Sequence, residues 1–311
     1  MSGAALPASR SGQREGAVSV WFGAMRPKTL PAAAAPVLLG TGIAWSEGVA
    51  HIPSALVALL GALAIQVGCN FANDFFDART GVDGPERLGP VRAVSAGLVT
   101  PRAMAIATAV ALALVVPCVA YLAWRGGWPF VAIGVAAVVL ALAYTGGPFP
   151  LAYLGLGDLF VLVFFGPVAV LWTYAAQAQA WSLAPALAGL GPGLLATALI
   201  CVNNLRDIDG DRAAGKRTLA VKFGAAFARV EYVTCVIAAG ALAVAVAIGA
   251  VGGPSARPWV LAALVPCAWL APTCASVMGG LRGRPLNGVL AKTGRALFLY
   301  GALMGAGWAV S

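Results

Sequence analysis

Nine apolar runs, at 29–46, 54–76, 101–124, 128–144, 154–176, 185–205, 225–251, 257–279 and 290–310, divide this 311-residue chain. Each is long enough, or nearly so, to cross about 30 Å of hydrocarbon as a helix, which takes roughly 20 residues. Runs of this length exclude the strands of a membrane barrel, which are about ten alternating residues. Lipid leaves helix as the way to satisfy the backbone polar groups. The expected fold is therefore all-α and polytopic, about nine transmembrane helices in a single domain over 1–311, with residues 1–20 as a flexible cytoplasmic tail. A composition 60% hydrophobic and only 10% charged agrees with lipid as the main solvent.

Basic residues set the orientation, because they concentrate in cytoplasmic loops. With the N-terminus inside, only Arg125 and Arg257 of the 20 Lys and Arg fall outside. That topology accounts for the net charge of +9. No basic patch interleaved with aromatics is present, so nucleic acid is not an expected partner. The first 20 residues lack a compact apolar core before a cleavage site, so the first span is expected to be the insertion signal. Six cysteines lie within the spans without C-x-x-C spacing and are read as packing residues.

Acid is scarce and concentrated. Of 11 acidic residues, Asp74, Asp77, Asp83, Glu86, Asp207, Asp209 and Asp211 occupy two short segments. Each segment ends an apolar run and repeats a polar pattern: Asn70, Asp74, Asp77 and Asp83, then Asn203, Asp207 and Asp211. The stretches that follow also correspond, Gly89-Pro-Val-Arg92 with Gly97 against Gly215-Lys-Arg217 with Gly224, which reads as a weak four-helix repeat. Four spans between the copies return both to one membrane face, where they can oppose each other across a cavity.

At about 100° per residue, Gln66, Asn70, Asn73, Asp74 and Asp77 form one stripe. Asn203, Asn204, Asp207 and Asp211 fall within about a quarter turn of one another and form another. Both stripes crowd carboxylates at helix C-termini, where the macrodipole is already negative, so a cation must compensate. Magnesium suits a few carboxylates completed by water and phosphate oxygens, whereas calcium wants a fuller protein cage. Asp211 has better helical phase than Asp209 for this role. The alternative, interfacial carboxylates paired with Arg79, Arg87, Arg206 and Arg212, is disfavoured by the repetition and by the cost of ionisable groups near lipid.

With these residues in place, the chain after residue 20 resembles the UbiA superfamily of intramembrane aromatic prenyltransferases. Within that superfamily it is most similar to the branch that prenylates 1,4-dihydroxy-2-naphthoate. The resemblance rests on Met25-Arg-Pro-Lys-Thr-Leu-Pro31, Asn73-Asp74-Phe-Phe-Asp77 with Gly81-Val-Asp83, and Arg87-Leu-Gly-Pro-Val-Arg92. It also rests on Tyr144-Thr-Gly-Gly-Pro-Phe-Pro150 with Gly155-Leu-Gly-Asp158, and on Asn203-Asn-Leu-Arg-Asp207 through Gly215-Lys-Arg-Thr-Leu-Ala220. The 4-hydroxybenzoate branch usually carries Arg-Thr-x-x-Arg-Pro where this chain has Arg87 to Arg92, which favours the naphthoate acceptor.

The resemblance implies a central cavity, Mg²⁺ and diphosphate held by the two Asp-rich motifs, and a prenyl chain lying toward lipid. The reaction it implies is transfer from a polyprenyl diphosphate to 1,4-dihydroxy-2-naphthoate, with loss of CO₂ and diphosphate, in menaquinone synthesis at the cell membrane. The expected metal ligands are Asp74, Asp77, Asp83, Asp207 and Asp211. Expected substrate contacts are Asn70, Asn73, Arg87, Arg92, Asn203, Lys216, Arg217 and Tyr144, with Arg92, Lys216 and Arg217 as phosphate clamps. Arg26 and Lys28 are weaker candidates. Asp158 either sits in a helix first turn, where negative charge is favoured, or positions or deprotonates the acceptor hydroxyl, as Tyr153 could. The 144–150 stretch reads as a tight turn, and Phe160, Phe164, Phe165, Trp172 and Tyr174 as packing or a prenyl tunnel.

Two rivals are weaker. Phosphotransferases that act on lipid alcohols carry an Asp-Gly-x-x-Ala-Arg signature absent here. Transporters place acids at the midplane between inverted repeats, whereas these acids gather at one face of a parallel repeat. An enzyme acting on a different aromatic acceptor remains the nearest alternative.

Overall fold

The computed structural model describes residues 16–80, 88–253 and 255–311. Fifteen α-helices follow in order: α1 (Ala17–Met25), α2 (Leu30–Ser46), α3 (Ile52–Thr80), α4 (Pro101–Ala113), α5 (Val115–Gly126), α6 (Pro129–Ala143), α7 (Leu151–Leu154), α8 (Gly157–Val163), α9 (Ala169–Ala178), α10 (Leu183–Arg206), α11 (Ile208–Ala213), α12 (Leu219–Ala247), α13 (Leu264–Trp269), α14 (Ala271–Met278) and α15 (Leu286–Ala309). The described residues contain no strand. Among the described residues, seven helical stretches are long and apolar enough to cross a membrane. Of the other two predicted runs, Pro129–Ala143 is helical but only 15 residues long, and 290–310 falls in the 24-residue α15 but for Val310, which caps its end. The protein is an integral membrane protein.

Several single runs of the sequence are composite in the structure, and proline is the reason. The run at 154–176 is α8 and α9 joined by a π-helical turn, Phe164–Val168, with Gly166 at φ −121°, ψ −110° beside Pro167. The run at 257–279 begins as a 3₁₀ turn, Pro258–Ala263, and continues through α13 and α14, which carry Pro266 and Pro272. Proline removes an N–H and clashes with the preceding turn, so the ladder breaks or rewinds at these points. Helix starts are fixed locally: Thr100 accepts from Ala103 N–H at 3.2 Å and Thr218 from Val221 N–H at 3.3 Å.

The α10 helix forms the axis, with 72% of its most apolar window buried, more than any other span. Around it α2 and α15 meet through small residues. A Cβ on Gly42 would lie 2.2 Å from the Gly305 carbonyl oxygen, and one on Gly301 2.4 Å from that of Ala35. Backbones this close gain dispersion contacts, which replace the hydrophobic effect as the drive for helix association in lipid. A satellite cluster of Ala24, Phe71, Ala93, Val94 and Met104 packs α1, α3 and α4 around the loop after α3. Trp21 stands edge-on to Phe71 there, with centroids 5.7 Å apart.

Candidate active site

A cavity of about 1470 Å³ lies among α2, α3, α5, α6, α8, α9 and α10. One end is apolar, walled by residues such as Val119, Leu122, Ile133, Phe160, Phe164 and Trp172. The other end carries Asp77, Arg92, Asn203, Asp207, Asp211 and Lys216. The two motifs, far apart in sequence, therefore meet at one end of one cavity, because α3 and α10 both finish there. Phe165 also faces it, while Tyr174 is buried beyond it and donates its hydroxyl to Glu47.

On the first motif, Asp77 is paired with Arg92, and Lys216 Nζ stands 3.4 Å from its Oδ1. The same ammonium is 3.8 Å from Asp211, so Lys216 bridges the two motifs. It also lies over the Tyr153 ring, 5.3 Å from the centroid. Asn73 accepts from the Thr145 hydroxyl at 2.7 Å. Asn70 donates to the Met25 carbonyl at 2.9 Å and to Thr29 Oγ1 at 3.0 Å, tying α3 to the 3₁₀ turn that follows α1. Arg26, in the left-handed region at φ 54°, and Lys28 bring this N-terminal turn to the cavity wall.

Asp74 is placed differently from its expected companions. Its Oδ2 and Oδ1 accept from the backbone N–H groups of Ala93 and Val94 at 2.9 and 3.0 Å, and its side chain is absent from the cavity wall. In this geometry the carboxylate fixes the loop that delivers Arg92. Arg217 is exposed and away from the cavity, its backbone N–H on the Tyr153 carbonyl. Of the two basic residues expected to contact substrate on the second motif, Lys216 lines the cavity and Arg217 does not. Asp83 and Arg87 lie outside the described residues.

The second motif departs from a continuous helical stripe. The α10 helix stops at Arg206, Asp207 takes φ −97°, ψ 8°, and Asp211 sits on the separate α11. Asp211 is buried beside Lys216, whereas the Asp209 side chain is 93% exposed and pairs with Arg212.

Arg206, read from sequence only as an ion-pair partner, is the hub here. Almost wholly buried, it donates from Nε to Asp207 at 2.8 Å, from Nη2 to Asn203 at 2.9 Å and from Nη1 to Asn287 at 2.7 Å. Gly89 lies against it, a Cβ there being 2.7 Å from Nη2. Thr29 and Thr145 lie in stretches that carry the resemblance but are assigned no role there, and Asn287 is not singled out at all, since each reaches the motifs through tertiary contacts.

Tyr144 lines the cavity at the end of α6, and the turn after it bends at Gly147, φ 82°. Asp158 is buried in the first turn of α8, one layer behind that wall, next to Cys201 and Glu231. Each carboxylate at the polar end is thus matched by a cation, and several oxygen donors surround the space between them. Such an end can hold an anion with its counter-cations, while the opposite end receives a hydrocarbon.

The model of the UbiA prenyltransferase family matches residues 33–279. A 1,4-dihydroxy-2-naphthoate octaprenyltransferase of Mycobacterium tuberculosis is 39% identical over 280 residues, covering 90% of this chain and 93% of the relative. One of Escherichia coli is 39% identical over 226 residues, 70% of this chain and 72% of the relative. Among solved structures, a UbiA homolog from Archaeoglobus fulgidus bound to DMAPP and Mg²⁺ superposes with a TM-score of 0.61 at 14% identity, over 92% of this chain and 99% of that one. A homolog from Aeropyrum pernix reaches 0.64 at 18% identity, over 90% and 97%. With the family model covering most of the chain and the same helical architecture in both solved homologs, the chain belongs to the UbiA prenyltransferase family.

Proposed function

We propose that the protein transfers a long polyprenyl group from a polyprenyl diphosphate to 1,4-dihydroxy-2-naphthoate, releasing diphosphate and CO₂ and giving the quinol form of demethylmenaquinone. The active site would face the cytoplasmic side of the cell membrane, with the N-terminus on that side. The observation that carries this reading is the joining of both Asn and Asp motifs to one end of a cavity whose other end is hydrocarbon-like. The naphthoate acceptor is supported by the relatives from Mycobacterium tuberculosis and Escherichia coli.

The donor set at the polar end fits magnesium. Asp77, Asp207, Asp211 and Asn203 offer hard oxygen ligands to the cavity, few enough to leave positions for water and phosphate oxygens. When bound, the metal supplies Lewis-acid stabilisation of the departing diphosphate. Asp83 is proposed with this ligand set. Asp74 would contribute by holding the Arg92 loop in place.

The chain's own groups do the rest. Arg92 and Lys216, now shared with Asp77 and Asp211, can exchange those carboxylates for phosphate oxygens once a metal compensates the acids. Losing one such positioned donor typically costs about 2.7–4 kcal/mol of transition-state stabilisation. Arg206 keeps Asn203 and Asp207 in a single orientation. The apolar walls exclude water from the allylic carbon, whose C–O bond electrons leave with the diphosphate as the ring forms the new C–C bond.

The test is incubation of the protein in nanodiscs with 1,4-dihydroxy-2-naphthoate, a long allylic diphosphate and Mg²⁺. Mass spectrometry then looks for the decarboxylated prenyl product, with EDTA and Asp77→Asn as controls. Product lost in both controls supports the reading. A folded preparation that prenylates another phenol but not the naphthoate rejects the acceptor.

A further inference from the structure

Behind the cavity wall, one trio of ligand-type side chains among the described residues holds its atoms within 4.8 Å of one another: Asp158 on α8, Cys201 on α10 and Glu231 on α12. All three belong to membrane-crossing helices. Asp158 is 4% exposed, and Cys201 directs its Sγ to Asp158 Oδ1 at 3.9 Å. Neither carboxylate forms an ion pair with a basic side chain among the described residues. The other titratable groups facing the pair are the Cys235 thiol and the Tyr144 phenol, neither of which brings positive charge. Asp158 is buried and Glu231 half-buried, and two carboxylates within 4.8 Å of one another without a basic partner repel when both are ionised, which favours a pair that retains one proton.

A second feature joins the pair to the cavity. A void of about 10 Å³ is walled by Asp158, Tyr144, Asn204 and Thr218, close to the space one water needs. Tyr144, Asn204 and Thr218 also line the large cavity. The Tyr144 hydroxyl would be 3.2 Å from a Cβ on Gly157, so the residue before Asp158 is small where the phenol approaches.

We infer that Asp158 and Glu231 form a proton store that serves the acceptor side of the cavity through Tyr144 and a water in this void. The inference rests on the proposed transfer to a phenolic acceptor. As the new C–C bond forms, the acceptor hydroxyl gives its proton through the water to the ionised carboxylate, and the freed electrons flow into the ring. Diphosphate departs with the electrons of the broken C–O bond. When CO₂ leaves, its bonding electrons return to the ring oxygen as an enolate, which takes the same proton back, so the pair ends as it began. Asp158 acts through Tyr144 and water and is a positioning residue.

The test uses the full chain in nanodiscs and two isosteric variants, Asp158→Asn and Glu231→Gln, with prenyl diphosphate binding as the check on folding. Infrared spectra in H₂O and D₂O should contain a protonated-carboxyl band that is lost in each variant separately. At saturating acceptor, Asp158→Asn should lower kcat by about 10²-fold, within the usual range for acid–base assistance, and remove the acid limb of the pH profile. Glu231→Gln should move that limb to lower pH, since Asp158 then ionises without an acid beside it. A band that survives both substitutions, or variants with normal donor binding and wild-type kcat and pH profile, would overturn the inference. A wild type that has the band but makes no prenylated naphthoate counts against the acceptor assignment and supports the pair.

Discussion

Arg206 donates from Nη1 to the side-chain oxygen of Asn287 at 2.7 Å, which joins the end of α10 to the start of α15. The Asn287 amide then donates to the Leu88 carbonyl at 2.8 Å. One asparagine thus links the second motif to the loop that follows the first. Asn287→Ala would leave a guanidinium N–H and a carbonyl without these partners. The expected destabilisation is about 1–3 kcal/mol, with weaker prenyl diphosphate binding, measured by thermal unfolding in detergent and by titration calorimetry. Its neighbour Gly288 is exposed and helical, with nothing within 4 Å of an added Cβ. Gly288→Ala should therefore stabilise the protein by roughly 0.5–1 kcal/mol and leave binding unchanged.

Gly89→Ala tests the hub from the other side. The new methyl would stand 2.7 Å from Arg206 Nη2 and 3.0 Å from its Cζ, while that guanidinium is held by Asp207, Asn203 and Asn287. Either the loop or the guanidinium must move. A fall of about tenfold or more in kcat/KM is expected, equivalent to about 1.4 kcal/mol. Wild-type kinetics in this variant would mean that Arg206 does not orient the site.

Asp74 and Asp77 are three residues apart yet should separate cleanly. Asp74→Asn replaces an acceptor by a donor facing two backbone N–H groups, so hydrogen exchange at Ala93 and Val94 should accelerate. Asp77→Asn should leave that protection intact and abolish the magnesium dependence of prenyl diphosphate binding. Equal exchange patterns in the two variants would show that the loop does not depend on Asp74.

Arg92 and Arg217 make a matched pair of arginines with opposite surroundings. Arg92 is buried at the cavity, and Arg217 is exposed outside it. Arg92→Ala should weaken prenyl diphosphate binding by about 10²-fold, the equivalent of about 2.7 kcal/mol. Arg217→Ala should change it less than about twofold, the size expected of a surface charge. Comparable losses in both would return Arg217 to the phosphate site.

What the sequence made legible is what helical periodicity and scarcity encode. Apolar runs marked the helices, and a handful of acids in an apolar chain marked the cavity's polar end. The phase argument that favoured Asp211 over Asp209 agrees with their burial. The same argument assumed an unbroken helix from Asn203 to Asp211, and the turn at Asp207 breaks it. Asp74 has the spacing of a ligand, and only tertiary structure reveals the two N–H groups that occupy it. Asn287 carries no local signal, because its partner Leu88 is 199 residues away.

The tie through Asn287 also bears on biosynthesis. Chains emerge and insert from the N-terminus onward, so both acidic motifs are in the membrane before α15 is made. Asn287 lies beyond residue 279, where the family match ends. A nascent chain halted after α14 would hold every motif residue, yet Arg206 and the Leu88 carbonyl would still await their common partner. The link from Arg206 through Asn287 to Leu88 can therefore close only once the last helix has been made.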